Sequence, residues 1–375
     1  MEEVEEFNAN ESRCKKMKMF WKIAFLLIVV LLVIYYTDDR VKENKLLESP
    51  VKQITALPET VIGGLETIIP QTSRPETGLS TFVGEHTEQL IDIMGKPERI
   101  EPSGYDYDWW VYLGDLHFMV GVTKDNRVNQ VYTADISSDV TPFEIKQNIS
   151  DIYRFTIVNS EINVPIDENI YTFSLNSEDM QNRLLVIYDN LYVQLYVDQV
   201  DGELEGVRFI DPITLVHHQP YDMTFIGEVL KTPIPSSVKQ IEVDRTAERQ
   251  IVEITNTYRK KHGVGKLEED YYLKIVARQH SQNMALENYA SFEQVETTSL
   301  TDRLKEAKID HRRAGENIAL NYVDAIEAVH GWINSPAHRN VLLASQFTNI
   351  GAGVYGKVYT QNLIQLNKED NRQRH

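Results

Sequence analysis

Two side chains near the C-terminal end of the chain have types and spacing that could support acid–base chemistry. Glu316 precedes Asn317, and His338 follows the dipeptide Ser335-Pro336. An imidazole titrates near neutral pH, and an adjacent carboxylate would fix its tautomer and favour its charged form. If the fold brings Glu316 and His338 together, they could act as a general acid and base. The alternative is a structural pair that ties one loop to one helix.

Helix-start signals indicate which elements carry this pair. Asp324 followed by Glu327 is a capping-box pattern, and apolar residues then recur at helical spacing, which predicts a helix over residues 325–334. Ser335 and Pro336 are a second start signal, because a hydroxyl can cap a helix and proline suits its first position. His338 is therefore expected in the first turn of the next helix.

Nucleophile and metal chemistry find less support in the chain. No serine or cysteine lies in a nucleophile motif, and the single cysteine, Cys14, precedes a long apolar run. A zinc site needs three or four protein ligands, so one histidine and one glutamate predict no metal centre and no cofactor. His280 lies on the apolar face of a helix predicted over residues 271–289 and is expected in the core, whereas His311 and His330 are expected in solvent.

Several sequence blocks follow one another in this region: Gly-Glu-Asn-Ile-Ala at 315–319, Gly331-Trp332, Ser-Pro-Ala-His-Arg-Asn at 335–340, Phe-Thr-Asn-Ile-Gly-Ala-Gly at 347–353 and Tyr-Thr-Gln at 359–361. In order and spacing, these blocks resemble the bacterial branch of the CAP superfamily, which joins cysteine-rich secretory proteins, antigen 5 and pathogenesis-related proteins. The resemblance covers residues 246–366. It implies an α-β-α sandwich, usually secreted, with a cleft that holds two histidines and two acidic residues.

The chain departs from the family pattern at two of these four cleft positions. The first histidine position is occupied by Phe292 and the second acidic position by Ser335, so only Glu316 and His338 carry over. We therefore assign no catalytic residue and keep Glu316 and His338 as catalytic candidates. The expected ligand-binding residues are Glu316, Asn317, Ser335, His338 and Arg339.

The N-terminal end reads as a membrane anchor. Residues 19–36 are nearly all apolar and long enough to cross a bilayer, with basic residues before them and Asp38 and Asp39 after them. The positive-inside rule then places residues 1–18 in the cytoplasm and the rest of the chain outside the cell. A cleaved signal peptide is the alternative, but no small-residue cleavage pattern follows the run. The expected location is the cell membrane, with a single pass.

Three further segments separate or follow the predicted folded parts. Residues 37–78, with scattered prolines and glycines, are expected to form a stalk, residues 213–245 a linker, and residues 367–375 a frayed tail. Residues 79–212 contain two similar runs of strand, turn, strand, turn and strand, which suggest a β-rich domain built by internal duplication. This domain resembles the N-terminal domain attached to CAP domains in Bacillus-type proteins, through Gly-Lys-Pro at 95–97 and the aromatic stretch 105–109.

The aromatic residues of that stretch allow two readings. Tyr105, Tyr107, Trp109 and Trp110 could form a surface that stacks on a carbohydrate or peptide, or they could pack in the sheet core, which we favour.

The expected fold class is α+β, and the expected function is ligand binding. A formal net charge of −18 argues against nucleic acid as a partner. We expect a membrane-anchored, outward-facing protein that binds a lipid, peptide or cell-wall ligand near Glu316 and His338 without turnover. One alternative is an envelope hydrolase that uses the same two residues. The other is a scaffold of the cell envelope or spore coat that acts through the middle domain.

Overall fold

A computed structural model describes residues 17–23, 25–28, 41–58, 72–114, 116–232, 234–286 and 298–367. It divides into two compact units, Met1–Lys42 and Glu43–His375. In the first unit, residues 17–23 and 25–28 are helical. Within the described ranges, no helix has the length and apolar character needed to cross a membrane. Residues 29–36 of the predicted anchor lie outside these ranges, as do Cys14 and Phe292.

The segment that begins the second unit is docked rather than free. Its short strands are β2 (Leu47–Glu48) and β3 (Ile54–Ala56), and a strand β1 (Val41–Glu43) ends at its first residue. Leu47 of β2 lies opposite Ala319 in a parallel pair, and Ile54 of β3 lies opposite Met223 in another. Residues 43–58 therefore add a strand to two different sheets, where a stalk was expected. Edge pairing uses backbone groups that every residue carries, so the composition gave no sign of it.

The middle domain consists mainly of antiparallel strands. They are β4 (Arg99–Pro102), β5 (Tyr107–Tyr112), β6 (Phe118–Thr123), β7 (Val128–Thr133), β8 (Glu161–Ile166), β9 (Asn169–Ser174), β10 (Arg183–Tyr188), β11 (Leu191–Asp198), β12 (Glu203–Ile210) and β13 (Asp222–Ile226). The helices are α1 (Thr87–Met94), α2 (Ile149–Phe155), α3 (Asp179–Asn182) and α4 (Pro212–His218), and a 3-10 turn spans Leu79–Phe82.

Seven of these strands form one sheet in the order β10-β11-β12-β7-β6-β5-β4, and a smaller sheet has the order β3-β13-β9-β8. The two predicted meanders are β5-β6-β7 and β10-β11-β12. They meet where β12 pairs with β7 in an antiparallel arrangement. Each meander therefore has its third strand at this junction, an arrangement that fits the duplication hypothesis.

The C-terminal domain is the expected three-layer sandwich. Its helices are α5 (Ser237–Lys261), α6 (Tyr271–Leu286), α7 (Leu300–Glu306), α8 (Ala325–Asn334) and α9 (Pro336–Leu342), and its strands are β14 (Glu268–Glu269), β15 (Arg313–Leu320), β16 (Asn349–Tyr355) and β17 (Val358–Gln365). The central sheet has the order β15-β17-β16-β14, and β2 pairs with β15.

The side chains of β15 and β17 alternate between the two helical layers. Gln361 bonds to Thr255 of α5, whereas its neighbour Thr360 bonds to Ser281 of α6. On the α6 side, Gly353 lets the backbones touch, because a Cβ there would lie 2.1 Å from the backbone nitrogen of Arg278. Gly351 and Gly353, both on β16, therefore allow the backbones of this strand and of α6 to pack closely.

The predicted helix starts in this domain are confirmed. Helix α8 spans Ala325–Asn334, and the Asp324 side chain accepts a hydrogen bond from the Glu327 backbone N–H at 3.1 Å. Helix α9 begins at Pro336, which places His338 in its first turn.

The segment predicted as a linker, residues 213–245, is largely ordered secondary structure. Helix α4 begins after Asp211, whose side chain accepts from the Thr214 backbone N–H, and α5 begins after Ser236, which accepts from that of Lys239. Pro212, just before the segment, and Ser236 within it therefore mark helix starts, which corrects the prediction of an extended linker.

Candidate functional site

Glu316 is buried on the α6 side of the central sheet and is paired with an arginine. Its carboxylate is 1% exposed, and Oε1 accepts a hydrogen bond from Nη2 of Arg303 at 2.9 Å. Nη1 of the same guanidinium lies 2.9 Å from Oε2, although no hydrogen bond forms there. Burial raises the pKa of Glu316, and Arg303 acts in the opposite direction. The charge partner of Glu316 is therefore Arg303.

His280 lies beside this pair. The ring is buried, as predicted, and its Nε2 is 3.9 Å from Oε1 of Glu316. Burial, assisted by the nearby charge of Arg303, lowers the pKa of His280 to about 3. His280 is therefore neutral at physiological pH and is a polar neighbour of Glu316.

His338 uses both ring nitrogens in hydrogen bonds. Its Nε2 lies 2.9 Å from the backbone carbonyl oxygen of Lys45, and its Nδ1 lies 2.7 Å from the hydroxyl of Ser335. A carbonyl can only accept, so Nε2 carries the proton, and Nδ1 of the neutral ring accepts from Ser335. Burial lowers the pKa of His338, while the bond to Lys45 acts in the opposite direction.

Asn317 connects the strand β15 to the helix α9. Its Nδ2 donates to the backbone carbonyl of His338 at 3.1 Å and to Oε1 of Gln361 at 3.0 Å. Its Oδ1 accepts a hydrogen bond from Nδ2 of Asn44 at 2.7 Å. Asn317 is fully buried, so its amide group holds the backbone of His338, Asn44 and Gln361 in fixed relative positions.

Residues 43–49, which we call the strap, contact the elements on both sides of the expected cleft. On one side, Glu43 accepts from the Leu300 backbone N–H at 2.8 Å, and the Asn44 backbone N–H donates to the Glu316 carbonyl at 3.3 Å. On the other side, Lys45 accepts from His338. Among the described residues, no hydrogen bond or ion pair joins Glu316 to His338. The strap therefore contacts both the strand that bears Glu316 and the helix that bears His338.

Arg339 lies away from the strap and reaches the middle domain. Its Nη1 pairs with the carboxylate of Asp198 on β11, and its Nη2 lies 3.9 Å from Asp201. The predicted ligand-binding role of Arg339 thus has no counterpart in these contacts, because the side chain links two domains.

A group of possible metal ligands surrounds this arginine. Ligand atoms of Asp198, Asp201, Glu205 and His262 lie within 4.8 Å of one another. Nζ of Lys261 is 2.5 Å from Glu205, and Arg339 already pairs with Asp198. Two cationic side chains therefore balance the two buried carboxylates, and this charge balance does not favour an additional metal ion.

Two arginines of the middle domain bind the start of helix α8. Nη1 of Arg183 on β10 donates to Glu327 at 2.8 Å, and Nη2 of Arg208 on β12 donates to Asp324 at 2.7 Å. Both guanidinium groups are at least nine-tenths buried. The sequence analysis missed these contacts, because the partners are more than a hundred residues apart and lie in no local pattern.

Of the two histidines expected in solvent, His330 differs from expectation. His330 was expected in solvent but is 4% exposed, and its Nε2 lies 2.9 Å from the Asn182 carbonyl. Burial lowers the pKa of His330 to about 3. The face of α8 that looked mixed in the sequence is covered by the middle domain, which is the physical reason for the error. His311 is partly exposed, and its Nδ1 lies 3.1 Å from the Ile309 carbonyl.

The aromatic stretch of the middle domain packs at the contact between the domains. Tyr107 and Trp109 are 4% and 3% exposed, so the core interpretation is confirmed for these two residues. Tyr105, Tyr107 and Trp109 line a cavity of about 210 Å³, together with Gln250 and Tyr359 of the C-terminal domain. This cavity is small and is also lined by Asp324 and Ala325, at the start of α8.

Sequence comparison finds two families in the chain. Residues 83–221 match a family described as CAP-associated N-terminal, and residues 252–365 match the cysteine-rich secretory protein family, CAP. The uncharacterized membrane protein YlbC of Bacillus subtilis is 41% identical over 292 residues, which cover 77% of this chain and 84% of that protein.

Solved structures agree with this assignment. An extracellular protein that contains an SCP domain, from Bacillus anthracis, is 34% identical with a TM-score of 0.73, over 79% of this chain and 98% of that one. A cysteine-rich secretory protein from Staphylococcus aureus has a TM-score of 0.71 over 86% of this chain and 100% of that one. At 22% identity, the second structure supports the fold alone.

Proposed function

Because the chain belongs to the CAP superfamily and carries the CAP-associated N-terminal domain, we propose that it is a membrane-anchored, outward-facing protein that binds a ligand between Glu316 and His338 without turnover. The observation that carries the proposal is that one short segment contacts the elements bearing both residues. Asn44 donates to the carbonyl of Glu316, and Lys45 accepts from His338. The site is thus shaped to hold another group.

The absence of turnover is supported by the state of the two candidate groups. A general base needs a lone pair directed at the substrate, but Nε2 of His338 carries the proton donated to Lys45. Glu316 is buried and paired with Arg303. His338 therefore offers an N–H donor to a ligand, while the carboxylate of Glu316 is held by Arg303.

The test is a ligand-induced thermal shift of the whole chain in detergent micelles. Lipids, cell-wall fragments, peptides and divalent metals are screened, since a ligand that binds only the folded state raises its melting temperature. A shift that is lost in His338→Ala, and in the double variant with Glu316→Ala, supports the proposal. His311→Ala is the matched control, because this histidine lies outside the strap contacts. A double variant that keeps every shift of the parent would refute the proposal.

Membrane topology is tested with the chain's own cysteine. A membrane-impermeant maleimide applied to intact cells should leave Cys14 unlabelled and should label it after lysis. In a Cys14→Ser background, Gly265→Cys should react on intact cells, because an added Cβ at Gly265 meets no atom within 4 Å. Labelling of Cys14 on intact cells would contradict the proposed orientation.

A second candidate function is favoured by one contact. The Ser335 hydroxyl lies 2.7 Å from Nδ1 of His338, whose other nitrogen is oriented by the Lys45 carbonyl. A hydroxyl bonded to an oriented imidazole is the arrangement of an activated nucleophile, so an envelope hydrolase could use Ser335. Such an enzyme would hydrolyse envelope peptides or esters and lose that activity in Ser335→Ala while its ligand-induced thermal shift remained. A parent protein without hydrolytic activity would exclude it.

A further inference from the structure

We infer that the ligand of this cleft is an extended polypeptide that replaces residues 43–49, an inference that rests on the function proposed above. The strap is then a resident occupant supplied by the chain itself. It shows which chemistry the site recognises, because the same groups are offered to any segment that takes its place.

Most of the strap contacts use backbone atoms. Leu47 and Glu48 pair in parallel with Ala319 and Leu320 of β15, and the Ser49 backbone N–H donates to the Leu320 carbonyl at 2.9 Å. Addition of a strand to an exposed sheet edge is a common mode of peptide recognition, in which backbone hydrogen bonds supply affinity. A lipid tail or a glycan could not reproduce this pairing.

Side-chain contacts add sequence preference. Nδ2 of Asn44 donates to Oδ1 of Asn317 at 2.7 Å and to the Ala337 carbonyl at 3.1 Å, a pattern that suits an asparagine. Leu46 and Leu47 pack against two different apolar clusters, as alternate side chains of a strand do.

The strap side chains define the preferred ligand. The carboxylate of Glu43 accepts a hydrogen bond from the Leu300 backbone N–H. Ser49 is buried, whereas the side chain of Lys45 is exposed. Glu48 accepts a hydrogen bond from Nδ2 of Asn321 at 3.1 Å. With Asn44, Leu46 and Leu47, these contacts favour a peptide with the pattern acidic, Asn, any residue, Leu, Leu, acidic, Ser.

Release of the strap must break its ladder of two residue pairs with β15 as well as the hydrogen bonds of Glu43, Asn44, Lys45 and Ser49. On its C-terminal side, β3 tethers it to the middle domain. The tether gives the strap a high local concentration, so a free peptide competes weakly until the strap is loosened. If the state with a released strap is rarely populated, the apparent affinity for the peptide falls in proportion to the fraction of molecules in that state.

The experiment therefore makes the same substitution, Asn44→Ala, once in the protein and once in the peptide. A fluorescent peptide with the sequence of residues 41–50 is titrated onto the whole chain in detergent micelles, and binding is followed by fluorescence anisotropy. Asn44→Ala in the protein removes two strap hydrogen bonds and should raise peptide affinity about five- to thirtyfold. The same substitution in the peptide should lower affinity by a similar factor. Lys45→Ala in the peptide is the control, because only the backbone carbonyl of Lys45 is used, and it should bind as the parent peptide does.

A covalent lock gives an independent test. Leu47→Cys with Ala319→Cys, in a Cys14→Ser background, joins residues that face each other in neighbouring strands, a spacing that a disulfide can bridge. Peptide binding should disappear in the oxidised protein and return after reduction, while the circular dichroism spectrum reports that both forms are folded.

The outcomes separate this inference from the proposed function. If neither the Asn44→Ala protein nor the reduced cysteine pair binds the peptide, the inference is wrong. If a lipid or cell-wall fragment then still gives a thermal shift that His338→Ala abolishes, the proposed function survives with a different ligand class. If no compound gives such a shift, both proposals fail.

Discussion

Arg183 links the two folded domains, and its replacement by methionine should weaken that link strongly. Its guanidinium donates to Glu327 at 2.8 Å and to Asp179 at 2.7 Å, and these carboxylate side chains are only 2% and 7% exposed. Burial opposes the charge of Arg183, but Glu327, Tyr221 and Asp179 together raise its pKa above the ordinary value. Arg183→Met leaves two buried carboxylates without their cation, which costs about 3–5 kcal/mol of unfolding free energy in comparable buried pairs.

Urea denaturation followed by tryptophan fluorescence measures this loss, since Trp109 and Trp332 belong to the core shared by the two domains. Glu327→Gln removes one of the two carboxylates that Arg183→Met leaves unpaired. The double variant Arg183→Met/Glu327→Gln should therefore be less destabilised than the sum of the two single variants, by about 1–3 kcal/mol. Arg154→Met is the control, because its pair with Asp151 is exposed and should contribute less than about 1 kcal/mol. A loss below about 1 kcal/mol in Arg183→Met, or strict additivity in the double variant, would refute the reasoning.

Two further predictions concern packing and pH. Gly353→Ala should lower the unfolding free energy by about 3 kcal/mol or more in urea denaturation, because its Cβ would overlap the backbone of α6, whereas Gly265→Ala has open space and should be neutral; equal stability of the two variants would contradict this. His280 and His330, with pKa values lowered to about 3 by burial, stay neutral in the folded state but take up protons near pH 6.5 when unfolded. Their contribution to the unfolding free energy is complete above about pH 6.5. It falls by about 1.4 kcal/mol per pH unit for each histidine as the pH drops towards 3. Urea titrations between about pH 7 and about pH 5 should show this slope, reduced in His330→Gln, and an unchanged slope in that variant would be the contrary result.

The elements that carry the candidate site were predictable because their signals are local. Asp324 with Glu327, and Ser335 with Pro336, mark helix starts within a few residues of the helices themselves. The hairpin of β16 and β17 likewise follows from two apolar runs around Gly356. In each case, the residues that determine the element lie inside it or next to it.

The contents of the cleft were not predictable, because they depend on contacts between distant parts of the chain. The strap pairs with β15 through backbone atoms, which leave no pattern in side-chain types. His330 was expected in solvent and Arg339 in a ligand site, and only the packed middle domain shows that both side chains face it. The departure at Ser335 was visible as a missing carboxylate, but the bond from its hydroxyl to His338 required the fold.

Amide hydrogen exchange of residues 43–49 in the whole chain tests the central claim most directly. We expect the Asn44 and Ser49 amides to be protected in the free protein, since both donate to carbonyls of β15. Addition of the peptide that carries the strap sequence should accelerate their exchange, and His338→Ala should do so without any peptide, because Lys45 loses its donor. Protection that neither the peptide nor the substitution changes would contradict the claim that this cleft binds an exchangeable polypeptide.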